Sequence, residues 1–232
     1  RGVATNRNEA LKWFRAAADK KLPAAFGVIA AFYVDKSRGM PDWVEAAHWA
    51  QLGAAAGDVI SQAMLGALYR EGKGVAQDHV EATRYSRVAA GQGSTPAAAD
   101  LGLACLSGLG TPKDIDEAIK WLRKAVEAGD SSAQNNLGLC YDNGVGVAQD
   151  HKEANRLFRA SAAQGFAGAM LNLGRQFHKG WGVPQDEVEA TRWYWYIKGA
   201  ETGDAIAQSL AAVRLLSAEG GSRDVQAALK WL

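Results

Sequence analysis

The chain has 232 residues, a formal net charge of +1, 48% hydrophobic residues and 22% charged residues. A nearly balanced charge argues against electrostatic capture of nucleic acid or of an anionic membrane surface. Two cysteines are too few for a disulfide-dense scaffold, and no apolar run reaches the length of a membrane span.

A pattern with a period of 36 residues runs along the chain. Paired glycines recur at Gly72 and Gly74, Gly108 and Gly110, Gly144 and Gly146, and Gly180 and Gly182. The aspartate after the glycines recurs at Asp42, Asp78, Asp114, Asp150 and Asp186. A period of this length is typical of a supersecondary unit that stacks on copies of itself, because one unit alone cannot bury its apolar face.

Each unit predicts two helices joined by a glycine-rich turn. Ala133, Leu137 and Tyr141 follow one another at intervals of four residues and form one helical stripe. The glycines after this stripe supply the left-handed conformation that ends many helices. The aspartate then caps the second helix, and a glutamate follows three residues later in DWVE, DHVE, DIDE, DHKE and DEVE. This arrangement resembles a capping box, in which each cap contributes about 1 kcal/mol.

The paired glycines and nearby aspartate of the loop GVGVAQD, residues 144–150, are also features of phosphate-binding loops. Such a loop needs a Gly-Lys-Ser or Gly-Lys-Thr sequence, or a strand before the glycines. The sequence contains neither signal. The loop is therefore predicted to be a helix stop, a turn and a helix start.

Two further positions recur in register with the loop. A Leu-Gly pair lies in the first helix of four units, and its glycine is expected to let the two helices of a unit approach closely. An aromatic position in the second helix is predicted to be core. Its tryptophans are Trp13, Trp49, Trp121, Trp193 and Trp231, whereas Trp43, Trp181 and Trp195 lie elsewhere.

The combined pattern A-x-x-x-L-G-x-x-Y-x-x-G-x-G-V-x-x-D-x-x-x-A-x-x-W resembles the Sel1-like repeat, a relative of the tetratricopeptide repeat. The segment AQNNLGLCYDNGVGVAQDHKEANRLF matches it at almost every position, with Leu157 in place of tryptophan. The resemblance implies an all-α fold, a right-handed α-solenoid of antiparallel helix pairs. Because natural solenoids need polar capping ends, the chain is expected to be a fragment of a longer protein.

We expect a single solenoid over residues 1–232. It consists of a partial unit 1–20 and of units at about 21–56, 57–92, 93–128, 129–164, 165–202 and 203–232. Three units depart from the pattern and are expected to have altered turns. The departures are VDKSRGMPDW in the second unit, Thr111 in the fourth, and RLLSAEGGSRD in the last, where Leu215 replaces the aromatic residue. Two further residues are inserted within WYWYIKGAETGD.

Residues that carry enzyme chemistry do not form a recognisable motif. His79 and His151 occupy equivalent places in separate units, and no His-x-x-x-His, Cys-x-x-Cys or Gly-x-Ser-x-Gly sequence occurs. We therefore expect solvated histidines, no metal, no cofactor and no catalytic residue. Cys105 occupies an aromatic core position and is predicted to be a buried, inert thiol. A disulfide between Cys105 and Cys140, on neighbouring first helices, is left open.

The resemblance implies that the first helices line a concave groove. The residues two, six and nine positions after the start of each first-helix stripe then face inward. They are small or apolar in the early units and more polar in the later ones, which suits a peptide or a partner's helix or loop. With the loop residue Trp181 added, the candidate partner-binding residues are Arg70, Asn135, Leu139, Asp142, Leu171, Arg175, His178 and Trp181. The alternatives are that the groove residues are solvated or pack between units, and that Trp181 packs over its own turn.

The resemblance implies a non-enzymatic scaffold or adaptor that binds a partner protein or peptide through the groove. Sel1-like proteins act in bacterial envelope assembly, signalling, host interaction or toxin immunity, and in eukaryotic protein quality control, and the resemblance favours the bacterial periplasm or envelope. One alternative is a module for a glycan or peptidoglycan fragment. Another is a β-lactamase-like hydrolase, as suggested for some relatives with a cysteine pair in each repeat, which this chain lacks. Neither nucleic-acid binding nor membrane insertion is expected.

Overall fold

The computed structural model describes residues 7–35 and 40–185, and every regular element among them is an α-helix. The helices are α1 Arg7–Asp19, α2 Pro23–Val34, α3 Trp43–Ala55, α4 Val59–Glu71, α5 His79–Gly91, α6 Thr95–Ser107, α7 Ile115–Glu127, α8 Ser131–Asn143, α9 His151–Ala163 and α10 Ala167–Lys179. The even-numbered helices are the first helices of the repeats, and the odd-numbered helices are the second helices. Part of the irregular turn in the second unit lies outside the described residues. The inserted residues and the last unit also lie outside them.

Two compact units divide the chain, Arg1–Lys124 and Ala125–Leu232, and the division falls within α7. In the first unit, each helix from α1 to α6 packs on the next along the chain, and the first helices α2, α4 and α6 contact one another in turn. In the second unit, α8 and α10 both pack on α9. The predicted all-α fold of stacked helix pairs is confirmed.

Buried alanines allow the helices to pack closely around a few large side chains. Around α3 and α4, Ala47 and Ala50 pack with Leu65 and Leu68. Around α9 and α10, the largest buried side chain is Phe158, which packs with several alanines, a methionine and a leucine. Burial of each large apolar side chain contributes about 1.5–3 kcal/mol. Stacking therefore stabilises helices that are too short to be stable on their own.

The loop glycines end the first helices as predicted. Gly72, Gly108, Gly144 and Gly180 are C-caps in the left-handed region, with φ between 66° and 73°. The aspartates cap the second helices, as shown by Asp150, whose carboxylate accepts hydrogen bonds from the backbone N–H groups of Lys152 and Glu153. The predicted helix stop, turn and helix start is therefore confirmed.

The second arm of the capping box is replaced by a different hydrogen bond. The N–H of Asp150 donates to the carbonyl of Tyr141 at 2.9 Å, and Asp42, Asp78 and Asp114 make the same bond nine residues back. The glutamate is then available for other partners. Glu153 binds Arg156, whereas Glu117 accepts from the indole N–H of Trp121.

The Leu-Gly glycine lies where two helices are closest, as expected. A Cβ placed on Gly138 would lie 2.7 Å from the ring of Phe158 on α9, inside van der Waals contact. A Cβ on Gly66 would lie 2.9 Å from the Ser86 hydroxyl on α5. Glycine therefore lets the two helices pack closely, whereas a larger residue would push them apart. This glycine costs about 1 kcal/mol in helix propensity.

The aromatic position of the second helix is less buried than predicted. Trp49 and Trp121 are half-buried, and each indole N–H donates to the capping-box glutamate one turn earlier, at 3.2 Å. The prediction that Trp13 is core is wrong, because Trp13 on α1 is 70% exposed. Trp193 and Trp231 lie outside the described residues.

Candidate functional site

A cleft open to solvent lies between α4, α5 and α6 of the first unit and has a volume of about 50 Å³. We call it the α4–α6 cleft. Arg70 lines it from α4, His79 and Ser86 from α5, and Leu103 and Ala104 from α6. All three helices thus contribute to the lining of the cleft. Arg70 and Leu103 are two of the first-helix residues that the resemblance predicts to face a groove.

Arg70 is the principal charged group of the cleft. Its Nη1 lies 3.1 Å from a carboxylate oxygen of Asp100 on α6, and its Nη2 lies 3.1 Å from Glu71. Its Nε is buried and has no hydrogen-bond partner. A buried donor without a partner costs about 1–3 kcal/mol, so the guanidinium is incompletely satisfied in this position.

Apolar side chains are exposed beside this guanidinium. Leu103 is 37% exposed and Leu109 is 51% exposed, and both line the cleft. The small side chain of Ala104 lies in the same wall. A charged donor beside exposed apolar surface provides the two kinds of contact that peptide grooves combine.

The equivalent region of the second unit, 72 residues further along the sequence, is filled by side chains. Asp142 replaces Arg70 and is 5% exposed. Its carboxylate accepts hydrogen bonds from His151 Nδ1 at 2.7 Å and from Gln176 Nε2 at 2.6 Å. The Trp181 ring stacks on the His151 ring, with centroids 5.2 Å apart and planes 11° apart. We call these four residues the Asp142 cluster.

A second polar contact joins the first helices of this unit. Asn172 Nδ2 on α10 donates to Asn135 Oδ1 on α8 at 2.9 Å, and both side chains are buried. Two of the candidate binding residues, Asn135 and Asp142, therefore form hydrogen bonds inside the second unit.

The prediction that histidines are solvated is wrong for His151, which is half-buried in the Asp142 cluster.

The remaining candidates lie at different depths on α8, α10 and the following loop. Leu139 and Leu171 are partly buried and pack against the core around Phe158. Arg175 is exposed, and His178 is half-buried in the last turn of α10. Trp181 is 37% exposed and packs on His151 of the preceding second helix rather than over its own turn.

The two cysteines are free and buried. Burial raises the pKa of Cys140 to about 11. The pKa of Cys105 is also raised to about 11, first by burial and then by the nearby Glu117, whose carboxylate accepts from the thiol at 3.5 Å. The prediction that Cys105 is buried is confirmed. A raised pKa favours the protonated thiol at neutral pH, which is the weakly nucleophilic form.

Glu117 is the most strongly held carboxylate near this thiol. The Arg87 guanidinium binds it through both Nη atoms, with Nη2 3.1 Å from Oε2. This contact, with the Trp121 indole N–H, lowers the pKa of Glu117 to about 2. The group is a structural ion pair that joins α5 to α7.

Sequence reasoning missed several residues that organise the two regions. Gln77, Gln149 and Gln185 each donate to the backbone carbonyl seven residues earlier, at Arg70, Asp142 and His178. Their recurrence in the loop, as in GKGVAQD and GVGVAQD, was a signal that could have revealed this bond. Asp100 and Gln176 were missed because their roles depend on a neighbouring helix.

The described residues show neither a metal site nor a membrane span. No group of three or more histidines, cysteines and carboxylates is arranged to hold a metal ion in this part of the chain. None of its helices is long and apolar enough to span a membrane.

Three solved structures are similar to this chain. The first is c5321, a protective antigen present in uropathogenic Escherichia coli strains and displaying an SLR fold, at 31% identity and a TM-score of 0.74. The match covers 100% of this chain and 49% of that one, so the chain spans about half the length of c5321. The second is a Sel1 repeat protein from Oxalobacter formigenes, at 32% identity and a TM-score of 0.77, covering 91% of this chain and 84% of that one.

The third structure is a sel1 repeat protein from Klebsiella pneumoniae subsp. pneumoniae, at 23% identity and a TM-score of 0.58, which shows likeness of fold alone. It covers 88% of this chain and 98% of that one. No curated protein matches the sequence. The Sel1 repeat model matches residues 1–22, 41–58, 59–94, 95–130, 131–166, 167–204 and 205–232. Because these matches cover most of the sequence and follow the helix pairs of the structure, the chain belongs to the Sel1 repeat family.

Proposed function

We propose that this protein is a non-enzymatic scaffold that binds a partner protein or peptide through the groove side of its first helices. Sel1 repeat proteins are generally protein-interaction modules. The observation that carries the proposal for this chain is the α4–α6 cleft, which exposes Leu103 and Leu109 beside a charged arginine. This cleft is the proposed binding surface of the first unit, and the candidate residues on α8, α10 and the Trp181 loop form a separate proposed surface on the second unit.

The proposed surfaces of the two units act differently. The α4–α6 cleft can take up a partner's side chain, because Ala104 and Ser86 leave space between the helices. The Asp142 cluster holds its own side chains in fixed positions through hydrogen bonds. A rigid framework of this kind lowers the entropy lost on binding, since few of its side chains need to be ordered.

Selection from a random peptide library displayed on phage, with the full chain as bait, tests the proposal. Peptides that bind the cleft should bind the Leu103→Gln variant about tenfold more weakly, because the substitution places an amide in the apolar wall. The matched control is Val44→Gln on α3, where Val44 is 68% exposed and does not line the cleft. The control should bind as the unsubstituted protein does.

Two outcomes would overturn the proposal. One is that selected peptides bind the Leu103→Gln and Val44→Gln variants equally well. The other is that no peptide binds but peptidoglycan fragments do, with loss of binding in the Leu103→Gln variant. The second result would assign the cleft to a glycan-binding module.

A further inference from the structure

We propose that the α4–α6 cleft recognises an acidic peptide segment, in which a carboxylate binds Arg70 and an adjacent large apolar side chain lies against Leu103 and Leu109. This inference rests on the proposed function and specifies the chemistry of the partner. It follows from the comparison between the cleft and the Asp142 cluster, which occupy the same place in their repeats.

The chain itself shows how this place is filled in the second unit. There the side chains of Gln176 and Trp181 occupy the positions that Ala104 and Leu109 hold in the first unit. Gln176 donates to Asp142, which lies nine residues after the start of the first-helix stripe at Ala133, and Trp181 supplies a flat apolar ring. The shorter side chains of the first unit leave both functions to a partner.

The equivalent residues Arg70 and Asp142 carry opposite charges, and the charge of each determines which polar group can bind it. Asp142 is an acceptor and is matched by donors, the Gln176 amide and the His151 ring. Arg70 is a donor, so its match is an acceptor, and a carboxylate is the acceptor that a guanidinium binds most strongly. The polarity of the expected ligand is therefore the reverse of the polarity of Gln176.

Arg70 has donor capacity left for such a ligand. A guanidinium carries five N–H groups, and the bonds to Asp100 and Glu71 leave Nε buried and without a partner. The Arg70 side chain is 39% exposed and lines the cleft, so a ligand there can reach the guanidinium. A carboxylate in the cleft binds the second N–H groups of Nη1 and Nη2, whereas Nε stays buried.

Asp100 opposes an acidic ligand and gives the inference a distinctive test. Its carboxylate lies 3.1 Å from Arg70 and partly cancels the positive charge of the cleft. Replacing Asp100 with Asn removes that negative charge without changing the size of the side chain. If the ligand is acidic, Asp100→Asn strengthens its binding, whereas a purely structural Arg70–Asp100 pair predicts weaker or unchanged binding.

The experiment uses cleft-binding peptides from the phage selection, synthesised in pairs with each Asp or Glu replaced by Asn or Gln. We expect the acidic member of a pair to bind about tenfold more tightly, because charge-assisted hydrogen bonds are the stronger class. Arg70→Gln should remove this preference, and Asp100→Asn should increase the affinity for the acidic member several-fold. Arg84→Gln is the matched charge control, since Arg84 binds Glu81 and does not line the cleft.

Filling the cleft from within provides an independent measurement. Ala104→Gln restores the residue type that Gln176 holds in the second unit, and the helix there accommodates it. This variant should lower affinity for the acidic peptides about tenfold while retaining the circular dichroism spectrum of the unsubstituted protein. Equal binding of acidic and amide peptides that remain sensitive to Leu103→Gln would overturn this inference and leave the proposed function intact. Insensitivity to Leu103→Gln would overturn both.

Discussion

The stretches α4–α6 and α8–α10 have the same backbone plan and different interiors. In both, a left-handed glycine ends the first helix and an aspartate caps a helix. In both, a loop glutamine donates to the backbone carbonyl seven residues earlier, at Arg70 or Asp142. Between these shared bonds the side chains differ. Arg70, Ser86 and Ala104 border an open cleft, whereas Asp142, Phe158 and Gln176 are buried in the equivalent places.

This difference shows that one set of residues determines the backbone of the repeat and another set determines whether a cleft is present. Turns and caps depend on the backbone conformation and are therefore the same in every repeat that keeps the loop. The residue opposite the Leu-Gly glycine is free to vary, because its role depends on the space between two helices. Ser86 there leaves space in one repeat, and Phe158 fills it in another.

The largest expected effect is at the position opposite the Leu-Gly glycine. Phe158→Ala should lower the free energy of unfolding by about 3–5 kcal/mol, because it leaves a cavity in a fully buried core. Ser86→Ala should cost about 1 kcal/mol or less. Urea unfolding followed by circular dichroism measures both changes, and hydrogen exchange should locate the Phe158→Ala loss in α8–α10. Similar costs for the two variants would contradict the comparison.

The next largest effect is expected at the equivalent residues Asp142 and Arg70, near the ends of α8 and α4. Asp142→Ala removes the acceptor shared by His151 and Gln176 and should cost about 2–3 kcal/mol, since a buried donor loses its partner. Arg70→Ala removes a partly exposed ion pair and should cost about 1 kcal/mol or less. The same urea titrations compare the variants. A larger cost at Arg70 than at Asp142 would show that the cleft is a structural rather than an open region.

The helix caps should show no difference between the two stretches. Asp78→Ala and Asp150→Ala each remove carboxylate bonds to two backbone N–H groups and should each cost about 1 kcal/mol. Asp78→Asn and Asp150→Asn serve as controls, because asparagine is also a good N-cap. Costs that differ strongly between the two alanine variants would show that the repeats do not share their turn energetics.

The smallest effect concerns Glu117, which lies in the repeat between the two stretches. Its pKa is lowered to about 2, so its ion pair stabilises the fold above the ordinary value of 4.5 and is lost as the pH falls from about 4.5 to about 2. Glu117→Gln should lower the stability by about 0.5 kcal/mol at neutral pH, because the partly exposed pair is screened by solvent. Thermal unfolding of both proteins from pH 7 to pH 2 should show the difference disappearing toward pH 2. A difference that persists at pH 2 would exclude the ion pair as its cause.

The sequence was sufficient where a residue acts on its own backbone. Glycines at 36-residue intervals and the aspartates after them predicted the helix ends, because left-handed turns and N-caps select for these residue types. The same period predicted the stacking of helix pairs, and the resemblance of the full pattern to the Sel1-like repeat predicted the family. The period also predicted the buried thiol of Cys105, since that residue replaces an aromatic at a core position.

Tertiary structure decided what happens between helices. Trp13 keeps the core pattern yet is exposed, because burial depends on which helix packs against it and not on the pattern alone. Asp142 and His151 looked like independent polar residues, but the packing of α9 on α8 brings them into hydrogen-bond contact. Gln176 on α10 then binds Asp142, and Trp181 stacks on His151. Arg70 and Asp100 likewise meet across two helices. Local chemistry repeats with the sequence, whereas the space between helices depends on the combined size and charge of residues that are distant in the chain.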